Sequence, residues 1–539
     1  MRSFATCMKT LWAMSKPVRW RLWVKVAAGI IRIGTSLGFV AASKHLVDIA
    51  TKVSGSSMSQ GIAIFIGILI LQLSLNIFSN WWDAWCRVKS QNILRKELFG
   101  HVLSSRWTGR ERYLSGDTVN RLEEDIRVTS DLLTDNIPNL LITLLQLIAA
   151  SVYLLTLAPN LLWVLLILMV AAVFGSKMFF RQLREIMARI RNRDSELQQL
   201  MQESLQHRVL VLTLTKVERV LEKFGWIQTD VENETRKRLN YNAIARGFMM
   251  FGFQAGHAAA FLWGVFGISA GTVTYGMMTA FLQLVGRVQG PIASLSGQIP
   301  AFIRALTSIE RLMDLAELEE EPKGENIHLP GAPEVVVSNL TYAYPGAVRS
   351  VLKNFSCRFE KGTFSVLSGP TGIGKSTLIK LILGLLEPTK GSVTVAGHPA
   401  GSSIRCNFMY VPQGNSLLSG TIRSNLLLAA PEATEEQIQE VLSLAKCDFV
   451  NDLHDGLETR CGEIGSGLSE GQAQRIAIAR ALLHPGGVLI LDESTSALDA
   501  ATESALLKNL HERYHGEKTI IFISHREAAI RFADSVVTL

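Results

Sequence analysis

Residues 369–377 read Gly-Pro-Thr-Gly-Ile-Gly-Lys-Ser-Thr, and they decide the fold of the C-terminal part of the chain. The apolar run Phe364–Leu367 precedes them, and a helical pattern begins at about Lys375. This order matches the strand, the GxxxxGK(S/T) loop and the helix of a phosphate-binding loop. Its glycines let backbone N–H groups approach phosphate oxygens, and the helix N-terminus adds a favourable dipole. The stretch therefore predicts a nucleotide-binding site in an α/β domain.

Individual residues of this loop have distinct predicted roles. Lys375 is expected to reach the outer phosphates, and the hydroxyl of Ser376 suits a Mg²⁺ ion. The remaining residues of the loop are expected to line the bound phosphates. They are Gly369, Thr371, Gly372, Gly374 and Thr377.

A second buried strand ends in two carboxylates. The run Val488–Leu491 is apolar, and Asp492 and Glu493 follow it directly. Such a strand can deliver Asp492 to the Mg²⁺ ion, and Glu493 would then lie beside the outer phosphate and polarise water as a general base. Two acids after a strand could instead cap the next helix. The phosphate-binding loop upstream favours the catalytic interpretation.

Apolar strands alternate with helical patterns from Glu334 onward. The predicted strands are Val335–Val337, Thr363–Leu367, Val488–Leu491 and Ile520–Ile523. Alternation of this kind is typical of a parallel sheet covered by helices.

The part of the chain before about Ala305 is far more apolar. Of the 539 residues, 48% are hydrophobic and 19% are charged, and the mean hydropathy is +0.23. Six apolar runs could each cross a hydrocarbon core of about 30 Å, for which about 20 helical residues are needed. They are Arg21–Val47, Gly61–Trp85, Ile137–Leu157, Leu161–Phe180, Gly247–Ala270 and Met277–Ile303. Buried helices of a large soluble protein would account poorly for six such runs with matching charged flanks.

The distribution of positive charge predicts the orientation of these spans. The net charge of +7 could indicate a nucleic acid or an anionic surface as a partner. Lys and Arg cluster before the first span and in residues 87–127 and 177–246, whereas the turns at 158–160 and 269–275 carry none. The positive-inside rule therefore places both termini in the cytoplasm. With no compact basic patch that also contains aromatic residues, membrane lipids are expected as partners and nucleic acid is not.

The two long basic stretches are predicted to be helices that extend beyond the membrane and turn back. Residues 181–224 combine mixed charges with apolar residues at helical spacing. A solvated charged helix is the simpler alternative, but helices continuous with membrane spans favour levers that contact the next domain. Residues 317–333 are acidic and then contain Pro and Gly, which predicts a linker. The expected domains are thus 1–316 and 334–539.

A five-residue motif carries a resemblance to a known family. Between the phosphate-binding loop and the strand that ends at Asp492 lies Leu-Ser-Glu-Gly-Gln, residues 468–472, followed by a helical pattern. It resembles the signature sequence of ATP-binding-cassette proteins, and the whole chain resembles an ATP-binding-cassette exporter half-transporter. The resemblance implies a membrane domain of six transmembrane helices followed by an α/β P-loop ATPase domain. It also implies ATP and Mg²⁺ as cofactors, with Ser469, Gly471 and Gln472 at the nucleotide.

Further residues take roles from this resemblance. Tyr344 matches the aromatic residue that stacks on adenine, although Tyr342 is a neighbouring alternative. Gln413 matches the glutamine that joins the metal site to the membrane domain. Asp499 matches a loop that contacts the other chain, and His525 matches the switch histidine near the γ-phosphate. The resemblance therefore gives Glu493, Lys375, Gln413 and His525 as catalytic residues, and Ser376, Gln413 and Asp492 as metal ligands.

Two exporter features and two departures accompany these matches. The residues around Glu463 resemble the exporter loop that precedes the signature. The first cytoplasmic lever of exporters is similar to the pattern formed by Gly116, Asp117, Arg121 and Asp125. Glu470 stands where the family usually has glycine, so its carboxylate is expected to point away from the nucleotide. The sequence stops at Leu539, within the expected last strand, whereas relatives continue for some tens of residues.

The resemblance also implies a mechanism. In the family, each ATP lies between one chain's phosphate-binding loop and the other chain's signature serine, so the expected partner is a second copy or a related half-transporter. The predicted function is ATP-driven export or flipping of an amphipathic lipid, peptide or small molecule across the bacterial plasma membrane. A nucleotide-gated channel or regulator on the same scaffold is the alternative. Six apolar spans disfavour a soluble mechanical ATPase, and fusion of the two domains disfavours an importer.

Three basic side chains lie inside the predicted spans, namely Arg32, His257 and Arg287. Each lies about twelve helical residues from one end of its span. At about 1.5 Å per residue this is roughly 18 Å into the membrane, close to mid-depth. An Arg that faces lipid without a partner is costly, so these side chains are expected to face the helix bundle or a wet cavity. They either brace the helices or form a basic belt that receives an anionic amphiphile.

Overall fold

The computed structural model describes residues 2–107, 115–322, 324–347, 349–462, 467–524 and 526–539. The chain forms two compact units. One comprises Met1–Phe99 and Val119–Ala316, and the other comprises Gly100–Thr118 and Glu317–Leu539.

Helices build the first unit. They are α1 (Phe4–Met14), α2 (Arg19–Ala50), α3 (Met58–Ser104), α4 (Ser115–Asn120), α5 (Ile126–Asp131), α6 (Ile137–Leu157), α7 (Pro159–Lys177), α8 (Phe180–Gln206), α9 (Arg208–Thr213), α10 (Val217–Ser269) and α11 (Tyr275–Ala316). Two π-helical segments, Arg121–Asp125 and Leu132–Asn136, connect α4 to α5 and α5 to α6. The last turn of α3 and the start of α4 belong to the second unit.

Five helical stretches are long and apolar enough to cross a membrane. They are Arg19–Ala50, Met58–Ser104, Asp117–Leu157, Pro159–Gln206 and Val217–Ser269. The sixth predicted span lies in α11. Only 6% of the apolar window in α3 is buried inside the protein, so its side chains require an apolar surrounding such as lipid. The fourth predicted span, Leu161–Phe180, lies within the stretch Pro159–Gln206, in which α7 ends at Lys177 and α8 begins at Phe180.

Helices α3 and α10 continue well past their apolar runs. These helices have 47 and 53 residues, more than twice the roughly 20 that a membrane of about 30 Å requires. Within the bundle, glycines allow close helix contacts. A Cβ atom at Gly252 of α10 would lie 2.4 Å from the Cβ of Ala172 in α7. Small residues at such positions let helix backbones approach in a membrane, where no hydrophobic effect drives them together.

The first π-helical segment is tied to the end of α11 by charge. Asp125 is buried, accepts a hydrogen bond of 2.8 Å from the hydroxyl of Ser308 and pairs with Arg311 at 3.0 Å. Arg121 lies 3.8 Å from Asp314. A buried carboxylate requires such partners because desolvation penalises its charge.

The second unit contains the α/β domain. Its strands are β1 (Val335–Tyr342), β2 (Leu352–Phe359), β3 (Phe364–Ser368), β4 (Lys390–Val395), β5 (His398–Pro399), β6 (Phe408–Val411), β7 (Gly420–Thr421), β8 (Arg460–Cys461), β9 (Val488–Asp492), β10 (Thr519–Ile523) and β11 (Ser535–Thr538). Its α-helices are α12 (Lys375–Ile382), α13 (Ile422–Leu427), α14 (Glu435–Leu444), α15 (Glu470–Leu483), α16 (Ala500–Tyr514) and α17 (Glu527–Arg531). Short 3₁₀ helices lie at Ser402–Asn407, Asp448–Asp452 and Gly456–Glu458.

A five-stranded parallel sheet organises this domain, in the order β11-β3-β10-β9-β6. In its register, Ile523 of β10 lies between Leu367 of β3 and Asp492 of β9. Carboxyl ends of parallel strands share one edge of a sheet, which is where such folds bind ligands. The phosphate-binding loop after β3 and the carboxylates after β9 therefore lie at the same edge, two strands apart.

One strand prediction was wrong in its pairing. Val335–Val337 does form a strand, but β1 lies in a separate four-stranded antiparallel sheet of order β2-β1-β4-β5. The connection to β2 spans only residues 343–351, which is too short for the crossover that a parallel pair requires. The predicted fold class is confirmed: a helical membrane region followed by an α/β P-loop domain.

Candidate nucleotide site

Three glycines shape the loop between β3 and α12. Gly369, Gly372 and Gly374 have φ values of 152°, 84° and 121°, a region that residues with a Cβ rarely adopt. The ammonium of Lys375 donates to the carbonyl oxygens of Gly369 at 2.7 Å and Pro370 at 3.1 Å. The charge of Lys375 therefore lies inside the concave side of the loop.

The structure distinguishes the two tyrosines that precede the loop. Tyr342 is buried in the core under the antiparallel sheet, whereas Tyr344 is only half-buried. The hydroxyl of Tyr344 lies 3.1 Å from Oγ1 of Thr377 on the first turn of α12. Tyr344 is thus the tyrosine beside the phosphate-binding loop. Of the other loop residues, Thr371 is exposed and Ser376 is half-buried.

Asp492 is the most desolvated acid of the site. Its side chain lies at the end of β9 with 3% exposure, and the hydroxyl of Tyr410 donates to its Oδ2 at 3.5 Å. Burial, with the negative charge of Glu493 nearby, raises the pKa of Asp492 to about 6. The other oxygen, Oδ1, is buried and has no hydrogen-bond partner among the described residues. An unpaired buried carboxylate oxygen and the Ser376 hydroxyl supply the oxygen ligands that Mg²⁺ prefers, so these residues fit the ion.

Glu493 is held in place by a contact with β10 and a contact with the residues that follow β6. Its N–H donates to the carbonyl oxygen of Ile523 at 3.2 Å, and its backbone takes the left-handed region at φ 48°. Such a conformation is uncommon outside glycine and occurs often at functional sites. The amide nitrogen of Gln413 donates to Oε2 of Glu493 at 2.7 Å. Residues 80 positions apart in sequence thus meet because β6 and β9 are neighbours.

The signature motif begins a helix. Ser469 is the N-cap of α15 and accepts a hydrogen bond from the N–H of Gln472, whose side chain bonds back to the N–H of Ser469. This is a capping box. Ser469 and Glu470 are exposed, and a Cβ at Gly471 would lie 3.0 Å from the carbonyl oxygen of Ala497. The signature therefore presents Ser469 at the surface of the domain. The absence of a side chain at Gly471 allows the loop that contains Ala497 to approach the start of α15.

The loop after Glu493 depends on side chains that sequence reasoning missed. Gln474 is fully buried, donates to the hydroxyl of Ser496 at 3.2 Å and accepts from the N–H of Ala497 at 3.2 Å. Arg526 pairs with buried Glu503 at 2.9 Å. No sequence signal separates Gln474 from an exposed helical glutamine, because its partners lie more than twenty residues away.

Three predicted residues near this loop have different outcomes. Asp499 is the N-cap of α16 and accepts from the N–H groups of Ala501 and Thr502, which hold the pKa of its carboxyl below the usual range. His525 and Glu463 lie outside the described residues.

Replacing Gln474 with Leu is expected to destabilise the domain by about 1–3 kcal/mol, because the N–H of Ala497 loses its acceptor. For a domain of about 200 residues this lowers the midpoint of thermal unfolding by several degrees. Differential scanning calorimetry of the full chain measures it, with Glu512→Gln on the exposed face of α16 as the control. An unchanged midpoint in Gln474→Leu would show that the network contributes nothing.

The three basic residues of the membrane spans do not share one environment. Arg32 of α2 lines a small cleft with Lys25 and Asp83, in which His257 and Arg287 take no part. The Nδ1 of His257 lies 3.1 Å from the carbonyl oxygen of Phe253, one turn earlier on the same helix. Arg287 is half-buried on α11.

An ion cluster near the start of α2 was missed by the sequence reasoning. Lys25 is 4% exposed and pairs with Asp83 at 3.1 Å and Asp135 at 2.9 Å. Arg87 lies 3.5 Å from both Asp131 and Asp135. The half-buried acids Asp83 and Asp135 thus lie beside Lys25, and Asp83 also lines the cleft of Arg32.

Comparison with known proteins agrees with this geometry. The model of the ABC transporter transmembrane region matches residues 22–292, and the ABC transporter model matches residues 352–496. A Bacillus subtilis (strain 168) protein named as a multidrug resistance ABC transporter ATP-binding/permease protein, YheI, is 27% identical over 509 residues, covering 90% of this chain and 85% of its own. A Staphylococcus aureus (strain NCTC 8325 / PS 47) protein named for multidrug export is 26% identical over 544 residues, covering 97% and 93%.

The fold has a solved counterpart. A bacterial Atm1-family ABC exporter with ATP bound superposes with a TM-score of 0.78 at 22% identity, over 97% of this chain and 93% of that one. The phosphate-binding loop, the carboxylates after β9 and the signature helix occur in one polypeptide with a matched transmembrane region. The chain therefore belongs to the ABC transporter family, as an integral membrane protein that fuses a transmembrane region to a nucleotide-binding ATPase domain.

Proposed function

We propose that this chain is half of a dimeric exporter that uses ATP hydrolysis to move an amphipathic substrate out of a bacterial cell. The observation that carries the proposal is the meeting of Gln413, Asp492 and Glu493 at the sheet edge that also holds the phosphate-binding loop. This constellation in a chain with membrane spans supports hydrolysis coupled to transport. The proposed domains are 1–316 and 334–539, joined by a linker at 317–333, with both termini in the cytoplasm.

Each residue of the site has a proposed role in hydrolysis. The backbone N–H groups of residues 369–377 and the ammonium of Lys375 bind the phosphates of ATP. Ser376, Asp492 and Gln413 would hold a Mg²⁺ ion, which supplies charge neutralisation at the phosphates. Glu493 accepts the proton of the attacking water, and its hydrogen bond to Gln413 orients its carboxylate. Tyr344 would stack on adenine, and the switch role of His525 stays a prediction.

The proposed partner is a second copy of this chain or a related half-transporter. Ser469, Gly471 and Gln472 open α15 at the surface of the domain, with the serine exposed. A helix N-terminus with an exposed serine at its cap suits a phosphate brought by another chain. Support also comes from the resemblance to exporters in which the partner's signature completes each site.

Reconstitution tests the export function directly. In proteoliposomes with the nucleotide-binding domains outside, Mg-ATP is expected to drive accumulation of Hoechst 33342 or of a fluorescent anionic phospholipid against its gradient. Glu493→Gln proteoliposomes are the control, since they keep the membrane domain and lose hydrolysis. Movement of both probes down their gradients only, at equal rates with and without hydrolysis, would instead support a channel.

The substrate class is the finer part of the proposal. Both relatives above are named for multidrug resistance or export, which suggests amphipathic cargo. Arg32, His257 and Arg287 would favour an anionic headgroup. Two contacts argue against a continuous basic belt. Lys25 and Asp83 line the same cleft as Arg32, and the ring of His257 bonds to a carbonyl oxygen of its own helix.

Substituting the two arginines tests the anionic preference. In Arg32→Gln and Arg287→Gln, stimulation of ATPase activity by an anionic phospholipid is expected to fall about tenfold or more, because one desolvated charge contact is worth about 1.5–3 kcal/mol. Stimulation by Hoechst 33342, a cationic amphiphile, should persist. Equal stimulation by the anionic lipid in both variants and in the parent would assign the arginines a bracing role.

A further inference from the structure

The end of α3 pairs with the segment that leads into the nucleotide-binding domain. The N–H of Arg106 donates to the carbonyl oxygen of Glu319 at 2.7 Å, and the N–H of Glu321 donates to the carbonyl oxygen of Ser104 at 3.0 Å. These two bonds flank an isolated antiparallel β-bridge. All four residues belong to the second unit, although α3 itself begins in the first. The last turn of a membrane helix is therefore fixed to residues 319–321.

His101 strengthens this pairing with both ring nitrogens. Its Nδ1 lies 3.0 Å from Oε1 of Glu320, and its Nε2 lies 3.0 Å from the carbonyl oxygen of Leu318. A ring with a partner on each side has one favoured orientation. The pairing of α3 with this segment thus involves side chains as well as backbone.

The same segment reaches the far end of the phosphate-loop helix through Arg405. The guanidinium of Arg405 pairs with both carboxylate oxygens of Glu321, at 2.9 and 2.6 Å. It also donates to the carbonyl oxygens of Leu383 and Gly384, each at 3.1 Å. These carbonyls belong to the C-cap residue of α12 and to the residue after it, where a positive charge is favourable. The guanidinium of Arg405 lowers the pKa of Glu321, which keeps the pair charged.

Residues directly after α3 touch α12 as well. The ammonium of Lys380 lies over the ring of Trp107, 4.5 Å from the ring centroid, which is a cation–π contact. Arg106 forms an ion pair with Glu387, just beyond the end of α12. Two independent routes from the end of α3 therefore converge on the C-terminal half of α12.

We propose that Arg106, Trp107, Glu321 and Arg405 form a clamp that couples the position of α3 to the phosphate-binding loop. In this α12 clamp, Glu321 and Arg405 are positioning residues for ATP hydrolysis. Helix α12 has Lys375 at one end and the clamp at the other, about 12 Å away at about 1.5 Å per residue. A helix of two turns moves as a rigid body, so a displacement at either end is transmitted to the other. The inference rests on the proposed nucleotide function.

Hydrogen–deuterium exchange of the full chain in nanodiscs tests the clamp. Mg²⁺ with the non-hydrolysable analogue adenosine 5′-(β,γ-imido)triphosphate is expected to slow exchange in residues 369–382 and in 97–107. In Glu321→Gln and Arg405→Met, slowing should persist at 369–382, and at least half of it should be lost at 97–107. The conservative variant Glu321→Asp should restore the coupled response. Glu435→Gln, which breaks a separate Arg–Glu ion pair with Arg423, is the matched control.

Two results would overturn the clamp. The first is an undiminished response of residues 97–107 in both Glu321→Gln and Arg405→Met, which would show that α3 and α12 communicate without these residues. The second is no response at 97–107 in the parent protein. A parent without a response at 369–382 would refute nucleotide binding itself and the clamp with it, so the two failures are told apart by the peptide that fails.

Discussion

Replacing Glu493 with Gln is expected to slow ATP hydrolysis by about 10²–10⁴-fold while leaving ATP binding intact, because a general base contributes a rate factor of that size. The substitution keeps the size of the side chain and removes the carboxylate that would accept the proton from water. The phosphate-binding loop follows β3, which lies two strands away from β9, and the substitution does not alter it. Bound Mg-ATP should therefore hold the two nucleotide-binding domains closed.

Phosphate release at saturating Mg-ATP, together with binding of a fluorescent ATP analogue, measures this effect. Glu512→Gln, an exposed acid on α16, is the control and should behave as the parent. Lys375→Ala provides the contrast, since it is expected to weaken nucleotide binding itself. Parental turnover in Glu493→Gln would assign the proton transfer to another group.

The second large effect is expected in mixed dimers. A chain with Lys375→Ala and a chain with Ser469→Arg should each be inactive alone, losing about 10²-fold or more, as expected when a group that stabilises phosphate charge is removed. Combined in one dimer, they leave one site intact, formed by the unaltered loop of one chain and the unaltered signature of the other. Mixed dimers purified through two different affinity tags are therefore expected to hydrolyse ATP well above the rate of either single-variant homodimer.

A rearrangement of the same substitutions provides the control. A double variant, Lys375→Ala with Ser469→Arg, paired with an unaltered chain contains the same changes but no intact composite site. It should stay inactive. If both kinds of mixed dimer have the same activity, the two sites are not shared between chains, and the proposed dimeric mechanism is wrong.

The sequence predicted the parts of the site that are encoded within a few neighbouring residues. The glycine spacing of residues 369–377 and the apolar strand before Asp492 each specify a local backbone shape, and the structure shows a loop and a strand end at those positions. Asp499 was assigned to a contact between chains by resemblance, and the structure adds that it caps α16. Because the bond joins residues at most three positions apart, an Asp directly before a helical pattern is enough to predict the cap.

Residues that act through distant partners were not predicted. Gln474 is recognisable only once α15 is packed against the loop at 496–497, and Lys25 only once α2, α3 and the segment at residue 135 come together. The pairing of β1 was wrong for the same reason. An apolar strand has the same composition whether its neighbour is parallel or antiparallel.

By itself the sequence predicted the membrane spans, the phosphate-binding loop and the two carboxylates at the strand end, Asp492 and Glu493. These features depend on periodicity and spacing along the chain, which backbone geometry converts directly into helices, strands and turns. Only the tertiary structure decided that Tyr344 rather than Tyr342 lies beside the loop, that Gln413 holds Glu493, and that Arg405 links Glu321 to the end of α12. These contacts join residues 21 to 84 positions apart. Strand register and helix packing bring such residues within 3 Å or so, and no local pattern in the chain records that distance.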